Sequence, residues 1–251
     1  MTGVLPELLF PALGILFGVI FGSFLATLLI RWPQGGSAIA GRSRCDSCGA
    51  ALGIGELVPL LSYAALRGRC RRCGAAIDRR HLAVELAAGT VGFVALVAHP
   101  LPLAIVTMAF GLWLLLVAML DVEHQWLPDA LTLPLILFGL LAGWAGFGPP
   151  LIDHLLGAAI GWAGLVLIAF AYRRLRGREG LGGGDPKLLA GIGAWIGALQ
   201  LPFILLGAGL VGLAAILLMR LRGEPVGAAT RLPLGALMAV AAWPVWLLIA
   251  V

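Results

Sequence analysis

Charge is what this chain has least of. Asp, Glu, Lys and Arg together make only 12% of its 251 residues, about half the share usual in soluble domains. With 61% hydrophobic residues and a mean hydropathy of +1.04, it cannot present a solvated surface. A water-soluble globular protein is excluded, and the length reflects a number of membrane spans rather than soluble domains. No Lys or Arg precedes the first apolar stretch. That stretch therefore lacks the charged start of a cleavable signal and reads as an anchor. HExxH and GxSxG are missing, which removes the zinc-protease and serine-hydrolase signatures. No glycine fingerprint of the Rossmann type is present either, and Gly35-Gly36 reads as a loop turn. The histidines His81, His99, His124 and His154 are scattered and suggest no ligand cluster. The net charge of +5 does not point to nucleic acid, because most basic residues lie between apolar segments, where they report topology.

What is present is a succession of apolar segments. At about 20 residues per crossing, eight qualify: 8–30, 81–98, 102–120, 130–147, 151–171, 187–200, 202–219 and 233–250. The sixth is short, and Gln200-Leu201-Pro202 alone separates it from the seventh. Pro100-Leu101-Pro102 and Pro149-Pro150 punctuate other spans as tight turns. Nine Arg lie between Arg31 and Arg80, and four more at Arg173, Arg174, Arg176 and Arg178. Lys187 and Arg220, Arg222 and Arg231 complete the set. With eight spans all of them fall on one side, which the positive-inside rule makes the cytoplasm. Both termini then face outward.

The one sizeable loop, 31–80, carries all four cysteines. RCDSCG holds Cys45 and Cys48, and RCRRCG holds Cys70 and Cys73. A two-residue gap lets one tight turn present two sulfurs, and four thiolates suit tetrahedral zinc. The 21 residues between the pairs run slightly beyond the usual ribbon spacing. Arg44, Arg69, Arg71 and Arg72 are expected to favour thiolate. Disulfides are the alternative, and a cytoplasmic loop argues against them. Four cysteines leave no open position for catalysis, so the metal would be structural. It would supply stability that so small a loop cannot draw from a core.

Two aspartates stand at the mouths of apolar segments. Asp121 lies in MLDVEHQWLPDALTLP and Asp185 in GLGGGDPKLLAG. An ionisable residue at membrane depth is a functional candidate. Two carboxylates brought together at one boundary would share a proton, the ionised one activating water and the protonated one polarising a carbonyl. Gly182, Gly183 and Gly184 would let an extended substrate backbone approach closely. The structural alternative is that Asp185 caps a helix with Pro186 at its first position, that Asp129 caps another, and that Asp121 and Glu123 are solvated interfacial charges. His124 is a rival base. Glu123, Asp129 and Lys187 are second candidates, either orienting the pair or serving as ordinary interfacial charges.

These residues together resemble the bacterial type IV prepilin peptidases, the leader peptidase/N-methyltransferases. The likeness runs through GSFLATLLIRWP (22–33), RSRCDSCGAAL (42–52), ELVPLLSYAALRGRCRRCGAAI (56–77) and Val84-Glu85-Leu86. It continues through DVEHQWLPDALTLPLILFGLL (121–141) and the GxGD-bearing GLGGGDPKLLAGIGAWIG (180–197). The resemblance implies an all-α polytopic fold of about eight transmembrane helices. A small cytoplasmic zinc-ribbon-like insertion would lie between helices 1 and 2. It implies a first helix over 1–30, a four-cysteine loop over 31–80 and a membrane peptidase domain over 81–251. It makes Asp121 and Asp185 the catalytic pair and Cys45, Cys48, Cys70 and Cys73 the zinc ligands. It implies inner-membrane prepilin or pseudopilin substrates, cut after a glycine at the cytoplasmic face and then N-methylated from S-adenosylmethionine. One position departs: members usually carry asparagine where this chain has Ala26, which leaves a peptidase without methyl transfer as the alternative.

Overall fold

A computed structural model describes residues 4–38, 42–177, 180–225, 227 and 232–250. Arg178 and Arg231, counted among the topology signals, lie outside the described residues. Two compact units emerge, Met1–Leu112 and Trp113–Val251. The described residues form nine α-helices: α1 (Val4–Arg31), α2 (Leu61–Ala65), α3 (Arg79–Ala98), α4 (Leu103–His124), α5 (Asp129–Trp144), α6 (Leu151–Arg176), α7 (Asp185–Ile196), α8 (Leu201–Leu221) and α9 (Leu234–Ile249). The unit boundary falls within α4.

Every expected apolar segment is a helix, and the short α2 belongs to the cysteine insertion. Five of the helices, α1, α3, α4, α6 and α8, are long and apolar enough to cross a bilayer. The chain is therefore a multi-pass membrane protein. The sixth expected segment departs from a simple span. α7 has 12 residues, about 18 Å of helix against a hydrocarbon core of about 30 Å. It is also the most enclosed helix of its unit. Asp185, Pro186 and every residue from Leu188 to Ile196 are buried. A half-length helix walled in by protein is a tolerated way to bring a backbone terminus to membrane depth.

Small residues make this enclosure possible. On α6, a Cβ at Gly157 would collide with the Gly193 carbonyl, and one at Gly161 would lie 2.7 Å from the Leu189 oxygen. From the other side, a Cβ at Gly139 of α5 would lie 2.7 Å from the Ala194 backbone. The Trp195 indole Nε1 donates to the Leu135 carbonyl at 2.9 Å. His154 is fully buried in α6, its Nδ1 2.6 Å from the Ala194 oxygen and its Nε2 3.0 Å from the Pro149 oxygen. The far end of α7 is thereby tied to α5, to α6 and to the turn before α6.

The amino-terminal unit uses the same device. Gly14, Gly18 and Gly22 recur at four-residue spacing along α1 and meet Gly92, Ala88 and Glu85 of α3. Lipid offers no hydrophobic drive between helices, so close backbone approach through small residues supplies the attraction. A Cβ at Gly92 would run into the Gly14 carbonyl. Gly92→Leu is therefore expected to destabilise this unit by about 1–3 kcal/mol, the usual range for overpacking. Thermal unfolding of the purified variant in detergent checks this, and an unchanged midpoint would refute the packing argument.

Candidate functional site

Both aspartates belong to the carboxyl-terminal unit, and both are buried. Asp121 sits in the last turn of α4. Its Oδ2 accepts the backbone N–H of Ala236 at 2.8 Å, in the first turn of α9. The Gly235 amide also bonds it. A helix start offers unpaired amides and the positive end of the helix dipole, so it is a ready place to hold a carboxylate. Gly235 has no room for a side chain: a Cβ there would sit 2.9 Å from Asp121 Oδ2.

Asp185 opens α7, and Gly184 occupies the cap position before it. Its carboxylate does not cap the helix from within. Oδ2 accepts the N–H of Gly182 at 2.9 Å, upstream in the glycine turn. The expectation of Asp185 as an ordinary N-cap is thus corrected, because the turn folds back and leaves the helix amides to other partners. The two carboxylates lie close enough for the charge of Asp121 to act on Asp185. Leu127 stands beside two glycines of the site, Gly184 and Gly235. A Cβ at Gly184 would lie 2.6 Å from Leu127 Cβ, and one at Gly235 would lie 2.9 Å from Leu127 Cδ1. Gly184 is therefore required by packing against Leu127, while Gly183 faces open space.

The second candidates divide into two pairs. Lys187 Nζ lies 2.6 Å from Asp129 Oδ1 and joins the first turns of α7 and α5. Pro128 rather than Asp129 occupies the cap position of α5, and Asp129 lies in the first turn. Both partners are partly exposed, and such pairs contribute at most about 1 kcal/mol. Their value is in fixing the approach of α7 to α5. Glu123 pairs with His124, 3.7 Å apart, in the last turn of α4. Leu127, Gly235 and Ala236 escaped the sequence reading, and His154, read there as scattered, holds the far end of α7. Only a glycine next to an apolar start marked the α9 contact in advance.

The four cysteines form a separate site in the amino-terminal unit. Each CxxC pair lies in a hairpin turn of the same design. The Cys45 amide donates to Ala50 and Gly49 to the Cys45 carbonyl; Cys70 donates to Ala75 and Gly74 to the Cys70 carbonyl. Gly49 and Gly74 have φ of 70° and 72°, the left-handed conformation that glycine adopts freely. All four sulfurs lie within 4.8 Å of one another, and Cys45 and Cys73 are 3.9 Å apart. Sulfurs bound tetrahedrally at about 2.3 Å would be about 3.8 Å apart. The spacer's extra length is taken up by α2 and by a 3₁₀ turn at Ile54–Glu56. The residues fit a metal with closed tetrahedral coordination.

Their acidity fits as well. Backbone N–H groups of Cys73 and Arg72 bring the Cys70 thiol down to about 7. The cause is the turn amides rather than the neighbouring guanidinium charges that the sequence suggested. The Ala75 amide pulls Cys73 down too, but burial and the three neighbouring thiols outweigh it and push Cys73 up to about 11. Four thiols this close cannot all ionise without a cation between them.

Comparison with known proteins bears on both sites. Residues 16–99 match the bacterial peptidase A24 N-terminal domain, and residues 108–217 match the type IV leader peptidase family. A prepilin leader peptidase/N-methyltransferase of Dichelobacter nodosus is 34% identical, over 96% of this chain and 93% of its own. Those of Pseudomonas putida and Dickeya chrysanthemi are 32% and 39% identical. They cover 93% and 81% of this chain, and 89% and 81% of their own lengths. No solved structure matches.

Cys45→Ser removes one of the four candidate ligands and is expected to lower bound metal well below one ion per chain. Elemental mass spectrometry of the purified protein reads this directly. A metal-to-protein ratio equal to wild type would reject the site.

Proposed function

The chain belongs to the type IV leader peptidase family, and from that premise we propose that Asp121 and Asp185 hydrolyse prepilin leaders while a zinc ion orders the cysteine insertion. The enzyme is read as a prepilin leader peptidase/N-methyltransferase. The observation that carries the peptidase reading is the pair itself. Two buried carboxylates, distant in sequence, lie within reach of each other's charge, and each has one oxygen fixed by a backbone amide.

Such a pair shares one proton. The ionised carboxylate takes a proton from water as the water oxygen bonds to the scissile carbonyl carbon. The protonated one gives its proton to the carbonyl oxygen. Collapse of the tetrahedral species breaks the C–N bond, and the departing amine receives the proton that water gave up. The amide bonds to each Oδ2 fix the carboxylates before substrate arrives, so little reorganisation is needed. Gly183 is open enough to accept a substrate backbone.

Membrane placement follows from the substrate. A prepilin keeps its apolar helix in the bilayer, so its leader bond can meet the aspartates only at the boundary. The distribution of basic residues over eight spans supports reading that boundary as the cytoplasmic face, with both termini on the outer side, and the substrate class supports the inner membrane. The metal we assign is zinc, because four thiolates in a closed tetrahedron suit it and leave no site for substrate. Bound there, zinc would join the two hairpins and stabilise the insertion. Ala26, the position that raised a peptidase-only alternative, is completely buried in α1. It is a packing position with no side-chain chemistry to offer, and the bifunctional reading is favoured by the names of the relatives.

Asp121→Asn and Asp185→Asn are each expected to cut leader cleavage by roughly 100- to 10,000-fold without loss of insertion. Intact mass measurement of a prepilin incubated with each variant checks it, and wild-type cleavage by either variant would sink the pair. Gly235→Val should displace Asp121 and lower cleavage by about 100-fold while metal content stays unchanged. Undiminished cleavage in that variant would mean the α9 amides do not position Asp121.

A further inference from the structure

An insertion surrounded by water has no reason to expose large apolar side chains, yet the cysteine insertion does. Ile54 is 88% exposed and Leu61 70%, and Leu57 and Val58 between them are exposed as well. These residues run from the 3₁₀ turn Ile54–Glu56 to the start of α2. Scattered single apolar residues are normal on a surface, whereas a contiguous patch marks a place that something covers.

The height of this patch along the membrane normal follows from α3. Glu85 Oε2 accepts the N–H of Leu60 at 2.8 Å. Leu60 has φ 59°, a conformation that a bulky residue keeps only when its surroundings enforce it. The charged start of α3, Arg79-Arg80, marks where that helix leaves water, and Glu85 lies about 8 Å farther along the axis. Helix side chains lean back toward the amino terminus. The carboxylate therefore holds Leu60 within the headgroup layer, about 5–8 Å thick on each side of the hydrocarbon.

Beside the patch lies an open cavity of about 530 Å³, lined by Arg42, Arg71 and Arg72. Gly53 and Glu56 line it too, so it adjoins the 3₁₀ turn. Among the described residues, no ion pair or hydrogen bond engages any of these three guanidinium groups. Arg31 and Arg80, by contrast, pair with Asp46 and Asp78 at 3.0 and 2.9 Å. The single acid of the cavity, Glu56, is turned to the Gly53 amide at 2.7 Å. The net positive charge is uncompensated, and the planar guanidinium fork matches phosphate oxygens.

We infer that the insertion is seated on the bilayer, with Ile54, Leu57, Val58 and Leu61 in the headgroup–acyl boundary and Arg42, Arg71 and Arg72 binding the phosphates of anionic lipids. An apolar edge flanked by arginines has the composition of an interfacial segment. Charge selects the occupant. A second copy of this chain across a two-fold interface would set the same arginines against themselves, whereas an anionic leaflet supplies the missing counter-charge. Phosphatidylcholine answers its own phosphate with an ammonium group; phosphatidylglycerol does not. Lipid seating is independent of the chemistry at the aspartates and at the cysteines.

Hydrogen–deuterium exchange of the full chain in lipid nanodiscs, one chain per disc, tests this. In phosphatidylcholine mixed equally with phosphatidylglycerol, amides of 54–61 are expected to exchange at least about fivefold more slowly than in phosphatidylcholine alone, the gain one arginine makes near an anionic leaflet. Arg42→Gln, Arg71→Gln and Arg72→Gln together should remove that difference. Ile54→Asp with Leu61→Asp should speed exchange in both lipids. Exchange across α3, Arg79–Ala98, reports that each variant is folded. The wild-type protein supplies an arm that needs no substitution: salt at about 1 M shortens the screening length to about 3 Å and should abolish the lipid dependence. Equal exchange of 54–61 in the two lipids overturns the inference. So does equal protection by inorganic phosphate in detergent, which would mark a soluble-anion site. Protection that appears only with two chains per disc would overturn it too and give the face to a second copy.

Discussion

A carboxylate in an apolar matrix must be answered by donors or it will not stay. That constraint organises the carboxyl-terminal unit. Asp121 is answered by amides at the start of α9, and Asp185 by the amide of Gly182. Amides at a helix start are fixed by the helix itself, so they hold a carboxylate without flexible side chains. The answer depends on geometry: α9 must present its first turn to the end of α4, and α7 must begin beside both. Gly235 and Gly184 lack side chains because Asp121 and Leu127 fill the space.

The short α7 is the part that a membrane protein has to work hardest to keep. A 12-residue helix cannot rely on lipid to satisfy its ends. Its length is enclosed by α5 and α6 through glycine contacts, and its far end is held by Trp195, His154 and the edge-to-face stack of Trp195 on Trp246. Trp246 belongs to α9, the helix that holds Asp121. The helix that Asp185 opens and the helix whose start holds Asp121 are therefore also joined through their far turns. A disturbance there would be felt at the carboxylates.

The amino-terminal unit solves a different problem. Its insertion has few buried apolar residues, and among the described residues its order comes from local turns and from the four-sulfur cluster. Glu85 connects that insertion to the membrane helices by gripping the backbone of Leu60. The fold of the insertion and the packing of α3 are thus joined through that one hydrogen bond.

Residue type and spacing by themselves determined a good deal here. Scarce charge and long apolar runs required helices in a membrane, since a lone apolar segment can satisfy its own backbone in lipid only as a helix. Cys45, Cys48, Cys70 and Cys73 announced a four-sulfur cluster, and Asp121 and Asp185 stood out as ionisable groups at apolar boundaries. These are signals that a side chain carries wherever it lies in the fold. The tertiary structure alone decided what answers them. Every residue but proline carries an amide, so nothing in the letters marked the Ala236 amide, 115 residues away, as the partner of Asp121. Nor could the sequence show that α7 is enclosed by protein along its length, or that the cysteine turns rather than the arginines acidify Cys70. Those outcomes depend on which helices cross and how closely, and crossing distance is set by glycines whose role appears only when two backbones meet.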